Sequence, residues 1–384
     1  MCYTVAMKIL VGLSGGVDSA VAAYLLKEQG HDVTAAFMRN WDSAANNDYL
    51  GNPTLNDDIC PQEKDYNDAK KVAEALDIPL LRVDFIREYW DDVFMQFLSE
   101  YKKGRTPNPD ILCNKYIKFD AFFRFANENG FENVATGHYA KVYHGDNGSL
   151  LMKADDRNKD QSYFLAQVQR KMFDNSYFPL GEIDKPEVRR IARELNLPVA
   201  EKKDSTGICF IGERDFKEFL KNYLPAKDGN MIDINTGKIM GVHSGVLYYT
   251  IGQRKGLGIG GDQGRWFVAG KNVEKNELYV ANSNSRSWLD SDSCLVSGVN
   301  WLKDVEFPIN CNAKFRYRQQ DNPVTIEPYE NELYLVKYPQ KVASVTPGQQ
   351  AVFYDGDICL GGGVIEKTFL NGRDHEEVIE ELIR

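Results

Sequence analysis

No apolar run in this 384-residue chain approaches the roughly 18 residues that a membrane span requires. No C-x-x-C pair occurs among its seven scattered cysteines, at 2, 60, 113, 209, 294, 311 and 359. That excludes a disulfide scaffold and the commonest zinc patterns, and it points to a reducing cytoplasm. A basic balance is also lacking. Lys and Arg number 46 against 56 Asp and Glu, for a net charge of −10, so charge alone does not single out a nucleic-acid binder. Lys102, Lys103 and Arg105 form a local basic cluster, although most such clusters are simply solvated surface. Gly and Pro are too few for a disordered chain, and 43% apolar content supports real cores. The length predicts about two to three domains. The first residues run straight into an apolar strand, and nothing there reads as a secretion signal.

The chain is organised around Lys8 to Leu26. Ile9 to Leu13 reads as a buried parallel strand, and Ser14, Gly15 and Gly16 as a sharp turn. Val17, Ala20, Val21, Tyr24 and Leu25 then recur at helical spacing. Strand, glycine turn and helix aim backbone N–H groups and a positive helix end at one point, which makes an anion site. A Walker loop needs a Lys after the glycines, and none is present. A dinucleotide fingerprint needs G-x-G-x-x-G, which Gly12, Gly15 and Gly16 do not satisfy. Ser14 and Ser19 offer hydroxyl donors to phosphate oxygens. Asp18 would be repelled by bare phosphate, so it implies a bridging Mg²⁺. Ser14-Gly15-Gly16-Val17-Asp18-Ser19 resembles the PP-loop of the ATP pyrophosphatases, which cleave ATP between the α and β phosphates.

Beyond this loop, Asp32 to Phe37 reads as a strand ending in Met38, placed where an adenine ring would pack, although on position alone a core role fits a Met better. Trp41 to Tyr66 is polar and reads as a long loop. Helices over Asp68–Leu76 and Glu88–Lys102 flank a strand at Leu80–Val83. The alternation argues for a doubly wound parallel sheet. Gly104 to Asn114 contains two prolines and ends at Cys113, ahead of a helix expected over Lys115–Asn129. A Cys at a helix N-terminus beside Lys115 and Lys118 should have its thiol pKa lowered from about 8.5. Asp110 is a candidate base or orienting group, or merely a turn former. Asn133–Thr136 is a further strand, running into Gly137, which allows close approach of a nucleotide; His138 is as readily structural as chemical. Val142–Tyr143 and Leu150–Met152 flank a hairpin signal. Asp184 and Glu187 make a capping box, with Pro186 in the first turn. Cys209 lies in an apolar run after a polar loop, the usual setting of a core Cys. From about Gly229 short β-rich runs take over, Gly245–Ile251 and Trp266–Asn272 first among them. They argue for small barrels. Arg316 and Tyr317 combine a cation and an aromatic there, a weak signal for RNA contact.

Taken together, SGGVDS (14–19), PNPDILCN (107–114), ATGHY (135–139), KDQSYFL (159–165), DSTGICFIG (204–212), TIGQRKGLGIGG (250–261), TPGQ (346–349) and LGGG (360–363) resemble the bacterial tRNA-specific 2-thiouridylase family over nearly the whole chain. Only residues 43–62 match poorly, which leaves Cys60 without a role. The resemblance implies a PP-loop domain over 1–212, a β-rich central domain over 213–288, and a C-terminal β-barrel that meets tRNA over 289–384. It implies that Gly12, Leu13, Ser14, Gly15, Gly16, Val17, Asp18, Ser19, Met38 and Gly137 bind ATP. Asn108, Pro109 and Asp110 would meet the target uridine, and Lys159, Asp160, Gln161, Arg316 and Tyr317 would contact tRNA. Cys113 would be the nucleophile and Cys209 the persulfide carrier, with no metal held by the protein alone. The implied substrates are the tRNAs for Lys, Glu and Gln, and the implied partner is a persulfide donor such as a cysteine desulfurase or a relay protein. If the two cysteines end as a disulfide, their Cα atoms must come within about 7 Å. A PP-loop ligase would share SGGVDS yet be indifferent to both cysteines, and a non-catalytic tRNA-binding protein would not turn ATP over.

Overall fold

The computed structural model describes residues 6–145, 148–204, 207, 211–212, 215–260 and 264–383. In chain order the N-terminal strands are β1 (Lys8–Gly12), β2 (Asp32–Arg39), β3 (Leu80–Asp84), β4 (Asn133–Ala135), the hairpin β5 (Ala140–Gly145) and β6 (Gly148–Lys153), and β7 (Ser176–Tyr177). Five of them form a parallel sheet in the order β3-β2-β1-β4-β7. Because side chains alternate along a strand, β1 feeds two separate cores. Ile9 and Val11 pack with Val17, Ala20 and Val21 of α1 (Val17–Glu28), Ala69 and Val72 of α2 (Pro61–Ala75), and Val188 of the helix Lys185–Glu194. Leu10 points the other way, into a core with Phe94, Phe97, Ile117 and Phe122. Apolar residues on both faces of one strand require helices on both faces of the sheet, so the doubly wound expectation holds. The chain moves from β1 outward through β2 and β3, then returns to place β4 on the other side. The crevice beyond the carboxyl ends of β1 and β4 is therefore the topological switch point.

The central region is a four-stranded sheet, β10-β11-β8-β9, made of β8 (Asp228–Asp233), β9 (Ile239–Ser244), β10 (Trp266–Asn272) and β11 (Glu277–Asn282). The strand expected over Gly245–Ile251 is not formed. Gly245 sits at φ 115°, where a Cβ would strike the Tyr248 ring, and a short 3₁₀ turn over Val246–Tyr248 follows it. The C-terminal region has β12 (Asp290–Trp301), β13 (Ile309–Lys314), β14 (Asn322–Pro328), β15 (Tyr334–Ala343), β16 (Gln350–Asp355) and β17 (Ile358–Leu370). They pair in the order β12-β15-β14-β13-β16-β17, and β17 pairs back to β12, closing a six-stranded barrel.

Two features join these parts. The β5–β6 hairpin, N-terminal in sequence, extends the barrel's sheet, with Met152 opposite Ile358 and the Lys153 N–H donating to the Asp357 carbonyl. A closing helix, His375–Ile383, drops Ile379 onto Gly270 of β10, where a Cβ would meet the Ile379 side chain at 2.8 Å. The β-rich reading of the C-terminal half did not foresee this helix, whose nine residues span too few turns for periodicity to stand out. No helix among the described residues is long and apolar enough to cross a membrane.

Candidate active site

The site grows from the end of β1. Leu13 N–H donates to the Ala36 carbonyl at 2.9 Å, carrying the β-type pairing one residue past the strand. Gly15 then turns at φ 73°, and a Cβ there would lie 2.2 Å from the Asp65 carbonyl oxygen of α2. Glycine is required both by the dihedral and by the contact. Gly16 caps α1 in an extended conformation without any side-chain bond to the first turn. The leading N–H groups of α1 are thus left to an outside oxyanion, as helix N-termini allow. Ser14 N–H donates to Ser19 Oγ at 3.1 Å, and the two hydroxyls lie 3.1 Å apart. Ser19 also donates to the Gly16 carbonyl at 3.1 Å. The loop is preorganised by its own serines.

Gly12, Met38 and Gly137 complete the cradle. A Cβ on Gly12 would come within 3.2 Å of the Met38 terminal methyl, so Met38 lies directly beside the loop. A Cβ on Gly137 would fall 2.8 Å from Ser19 N. The ends of β1, β2 and β4 therefore bring together all ten residues expected to bind nucleotide, from Gly12 to Ser19 with Met38 and Gly137.

Charged residues surround the loop, and Lys185, Arg189 and Lys202 among them were not singled out by the sequence. Asp18 accepts from Lys185 Nζ at 2.7 and 2.8 Å and from the Tyr139 hydroxyl at 2.8 Å. Lys185 also reaches Asp204 at 2.7 Å, and Asp204 is held by Lys159 and Arg189 at the same distance. Burial works to raise the Asp204 pKa, but hydrogen bonds from Lys159 and Lys185 prevail and hold it well below the usual carboxylate range. Lys202 binds the Gly15 carbonyl at 3.0 Å, Asp65 at 2.8 Å and Asp68 at 2.7 Å, fastening the loop to α2. Lys185 and Lys202 thus touch the loop directly, at Asp18 and at the Gly15 carbonyl, while Lys159 and Arg189 reach it through Asp204.

Asn108 caps the next helical run, its side chain accepting from Asp110 N at 3.1 Å, with Pro109 in the first turn. The helix therefore begins at Pro109, not at Lys115. The expectation that Cys113 occupies a helix N-terminus is corrected: it lies one turn in, its N–H bonded to the Pro109 and Asp110 carbonyls, and it opens a π-helical stretch, Cys113–Ala121. It is fully buried, packed in the core that holds Phe94 and Ile117. Asp110, half-buried, is three positions ahead on the same helical face. His138 is enclosed by Phe119 and Phe178, with Thr136 Oγ1 at 2.6 Å from Nδ1 and Lys118 Nζ at 3.5 Å from Nε2. Burial, then the Lys118 charge, keep it neutral well below its ordinary pKa.

The loop before Asn108 is pinned from the barrel. Thr106 N donates to the Pro347 carbonyl at 3.1 Å, and Gln349 Nε2 to the Thr106 carbonyl at 2.7 Å. Arg316 joins the same junction, donating to the Ile251 carbonyl at 2.9 Å and to Thr346 Oγ1 at 3.0 Å. Thr106, directly ahead of the 107–114 motif, so meets the motifs at 250–261 and 346–349 at one seam. The Tyr317 ring packs at a tilt of 46° against Phe164 with ring centroids 4.4 Å apart, and its hydroxyl donates to the Lys159 carbonyl at 3.4 Å. Gln161 exchanges hydrogen bonds with Tyr139, 3.0 Å through its side chain and 2.7 Å through its N–H. Asp160 differs from the expectation of an outward contact. Its side chain is 2% exposed and is engaged by Ala154 N, Ser162 N and Ser162 Oγ at 3.0–3.2 Å, so it shapes the segment from within. Of the basic cluster, Lys103 pairs with Glu100, and Arg105 with Glu100 and Glu366. Cys209 lies outside the described residues.

Three family models match consecutive stretches: a tRNA methyl transferase HUP domain over residues 7–213, a tRNA methyl transferase PRC-barrel domain over 217–282, and an aminomethyltransferase beta-barrel domain over 291–365. The chain is 58% identical over 366 residues to the tRNA-specific 2-thiouridylase MnmA of Mycoplasmopsis synoviae, covering 95% of this chain and 97% of that one. It is 56% identical over 370 residues to the protein of the same description from Mycoplasma mycoides subsp. mycoides, covering 94% and 99%. Among solved structures, an NMN synthetase from Francisella tularensis aligns at 17% identity over 57% of this chain and 76% of that one. Its TM-score of 0.32 is too low to argue from.

Proposed function

The chain belongs to the tRNA-specific 2-thiouridylase family and is an enzyme that forms 2-thiouridine in tRNA; from that premise we propose how its residues divide the reaction. The wobble uridine of the tRNAs for Lys, Glu and Gln is the target. Its C2 oxygen is a poor leaving group, so it is first activated: O2 attacks the α-phosphorus of ATP, and pyrophosphate leaves. Asp110 takes the N3 proton as O2 gains nucleophilicity. The first-turn N–H groups of α1, with the Ser14 and Ser19 hydroxyls, hold the charge that develops on pyrophosphate. Asp18 would hold Mg²⁺, which when bound would supply further neutralisation of the same charge.

Sulfur arrives as a persulfide on Cys209, delivered by a donor protein. Its terminal sulfur, or sulfide released from it by attack of Cys113 on the Cys209 sulfur, then adds to C2 and expels AMP. In the second route the two cysteines end as a disulfide that a reductant reopens. Since Cys113 is fully buried, docking of the tRNA must uncover it. Asn108 and Pro109 position the base. Lys159, Gln161, Arg316 and Tyr317 line the tRNA path, the last two from the barrel. Residues 1–212 supply the chemistry, 213–288 the connection and 289–384 the second wall of the tRNA site. The reaction is cytoplasmic.

One observation carries this reading: Gly12, Met38, Gly137 and the Ser14–Ser19 turn close on a single point at the switch of the sheet. The test is nucleoside mass spectrometry on unthiolated tRNA after incubation with the protein, Mg-ATP and a persulfide donor, alongside Cys209→Ser. A 2-thiouridine product that needs ATP and vanishes in the variant is the expected result. Undiminished product from Cys209→Ser removes the carrier role, and product without ATP removes the adenylation step.

A further inference from the structure

A line of alternating charges leaves the nucleotide loop: Asp18, Lys185, Asp204, Lys159. Each neighbouring pair is in contact at 2.7–2.8 Å. Its ends have different tasks under the proposed function, on which this inference rests. Asp18 belongs to the nucleotide loop, and Lys159 to the tRNA path. Lys185 is the sheltered member, its side chain 12% exposed against 34% for Asp18, 31% for Asp204 and 38% for Lys159. Lys185 has three ammonium donors. Three carboxylate oxygens, two from Asp18 and one from Asp204, lie within 2.8 Å of them. Asp204 Oδ2 faces Lys159, while Oδ1 is shared by Lys185 and Arg189. The lysine is therefore fully committed, and neither acid can change partner without altering its hold on the other.

We propose that Lys185 is a positioning residue that couples Mg-ATP binding to tRNA binding, each strengthening the other. When the metal of Mg-ATP takes the Asp18 carboxylate, Lys185 turns its whole charge on Asp204. Asp204 then holds Lys159 less firmly, and Lys159 is released to a tRNA phosphate. Run in reverse, a phosphate that draws Lys159 away leaves Asp204 to Lys185, which loosens Asp18 for the metal. Linkage requires the two effects to be equal. No bond forms or breaks; only ion-pair partners are exchanged. The sign is specific to this arrangement. Were Lys185 instead to follow the phosphates of ATP and desert Asp204, Lys159 would be held more tightly, and the two ligands would oppose one another.

The test is the affinity of the whole protein for Mg²⁺ with α,β-methylene-ATP, which blocks cleavage at the α–β bond, measured by calorimetry with and without unthiolated tRNA. In the unsubstituted protein tRNA should tighten analogue binding about five- to tenfold, at the low end of the usual range of such couplings. Lys185→Met should still bind each ligand alone, with the coupling factor reduced to about 1. Asp204→Asn, which cuts the line one residue further on, should do the same, and Lys185→Arg should restore part of the coupling. Lys337→Ala, an exposed barrel lysine paired with Glu327, should leave it unchanged. Independent or opposed binding in the unsubstituted protein, or undiminished coupling in both Lys185→Met and Asp204→Asn, overturns the proposal. Failure of the analogue or the tRNA to bind at all would instead overturn the functional reading beneath it.

Discussion

Gly137 stands so close to Ser19 that a Cβ on it would lie 2.8 Å from the Ser19 backbone nitrogen and 2.9 Å from the Asp18 carbonyl carbon. Both neighbours are backbone at the start of α1, where a rigid strand end meets a rigid helix. Nothing there gives way as a flexible side chain would.

Gly137→Ala should therefore force β4 and the nucleotide loop apart. Overpacking of this kind costs about 1–3 kcal/mol of stability, and the displaced N–H groups should weaken ATP binding at least about tenfold, since misplacement by a fraction of an ångström is enough. Thermal melting and ATP calorimetry on the variant check the two effects separately. Normal affinity would mean that the loop tolerates displacement from β4.

Burial orders the cysteines by reactivity. Cys113, Cys294 and Cys359 are buried, and Cys60 and Cys311 are half-buried. Burial pushes the Cys311 thiol up to about 12, so its nucleophilic form is scarce at neutral pH. Among these five, Cys60 should be alkylated first by iodoacetamide. Cys113 should lag it by about a hundredfold or more, because thiolate character and access both govern the rate. Adding unthiolated tRNA and Mg-ATP should accelerate Cys113 selectively. Peptide mass spectrometry over time gives all five rates. A Cys113 as fast as Cys60 in the free protein would contradict the enclosed position.

The local parts of the site were legible in the sequence, and the long-range parts were not. Ser14–Ser19 reads directly because its strand, turn and helix are contiguous and each has its own pattern. The helix start at Pro109 was also within reach, since Asn before Pro is a cap followed by a first-turn proline. The apolar run after Lys115 drew the boundary too far along and placed Cys113 at a terminus it does not occupy. Lys185, Asp204 and Tyr139 carried no comparable signal. Tyr139 and Lys185 reach Asp18 across 121 and 167 positions of sequence, the lysine because helix Lys185–Glu194 packs against α1, and Asp204 joins them through Lys185. Nor did the sequence distinguish a hairpin that merely caps the first domain from one whose β6 continues the barrel, because a strand's pattern does not name its partner.

His138 should make stability fall in mild acid. Its folded-state pKa is depressed, by burial and then by Lys118, while in the unfolded chain it titrates near 6.5. Between those values the unfolded state binds more protons, so unfolding free energy rises with pH and is lost as pH drops below about 6.5. His31, His243 and His375 are lowered as well and add in the same direction. His138→Gln should flatten the decline in melting temperature between about pH 7 and pH 5 without abolishing it. An unchanged slope would show that His138 carries no part of it.

The seam between hairpin and barrel offers an asymmetric test. Lys153 Nζ sits 2.5 Å from Asp321, 3.2 Å from the Gly356 carbonyl and 4.2 Å from the Tyr354 ring centre. The side chain of Lys153 is 7% exposed and that of Asp321 31%. Removing the acid leaves a deeply enclosed ammonium with weaker partners, whereas removing the lysine leaves a carboxylate that water reaches. Breaking a fully buried pair by removing one partner costs about 3–5 kcal/mol, because the other charge is left buried and uncompensated, and the cost falls where water reaches the remaining charge. Asp321 is partly exposed, so Asp321→Ala should cost about 2–3 kcal/mol and Lys153→Met about 1 kcal/mol or less. The loss in Asp321→Ala should centre on the docking of β6 against β17, because Lys153 belongs to β6 and Asp357, which its N–H binds, immediately precedes β17. Hydrogen exchange should therefore quicken at Lys153 N–H before it quickens in the parallel sheet. Denaturant titration of both variants ranks the costs, and the reverse order, Lys153→Met worse than Asp321→Ala, would mean that the lysine's contact with Tyr354 outweighs its ion pair.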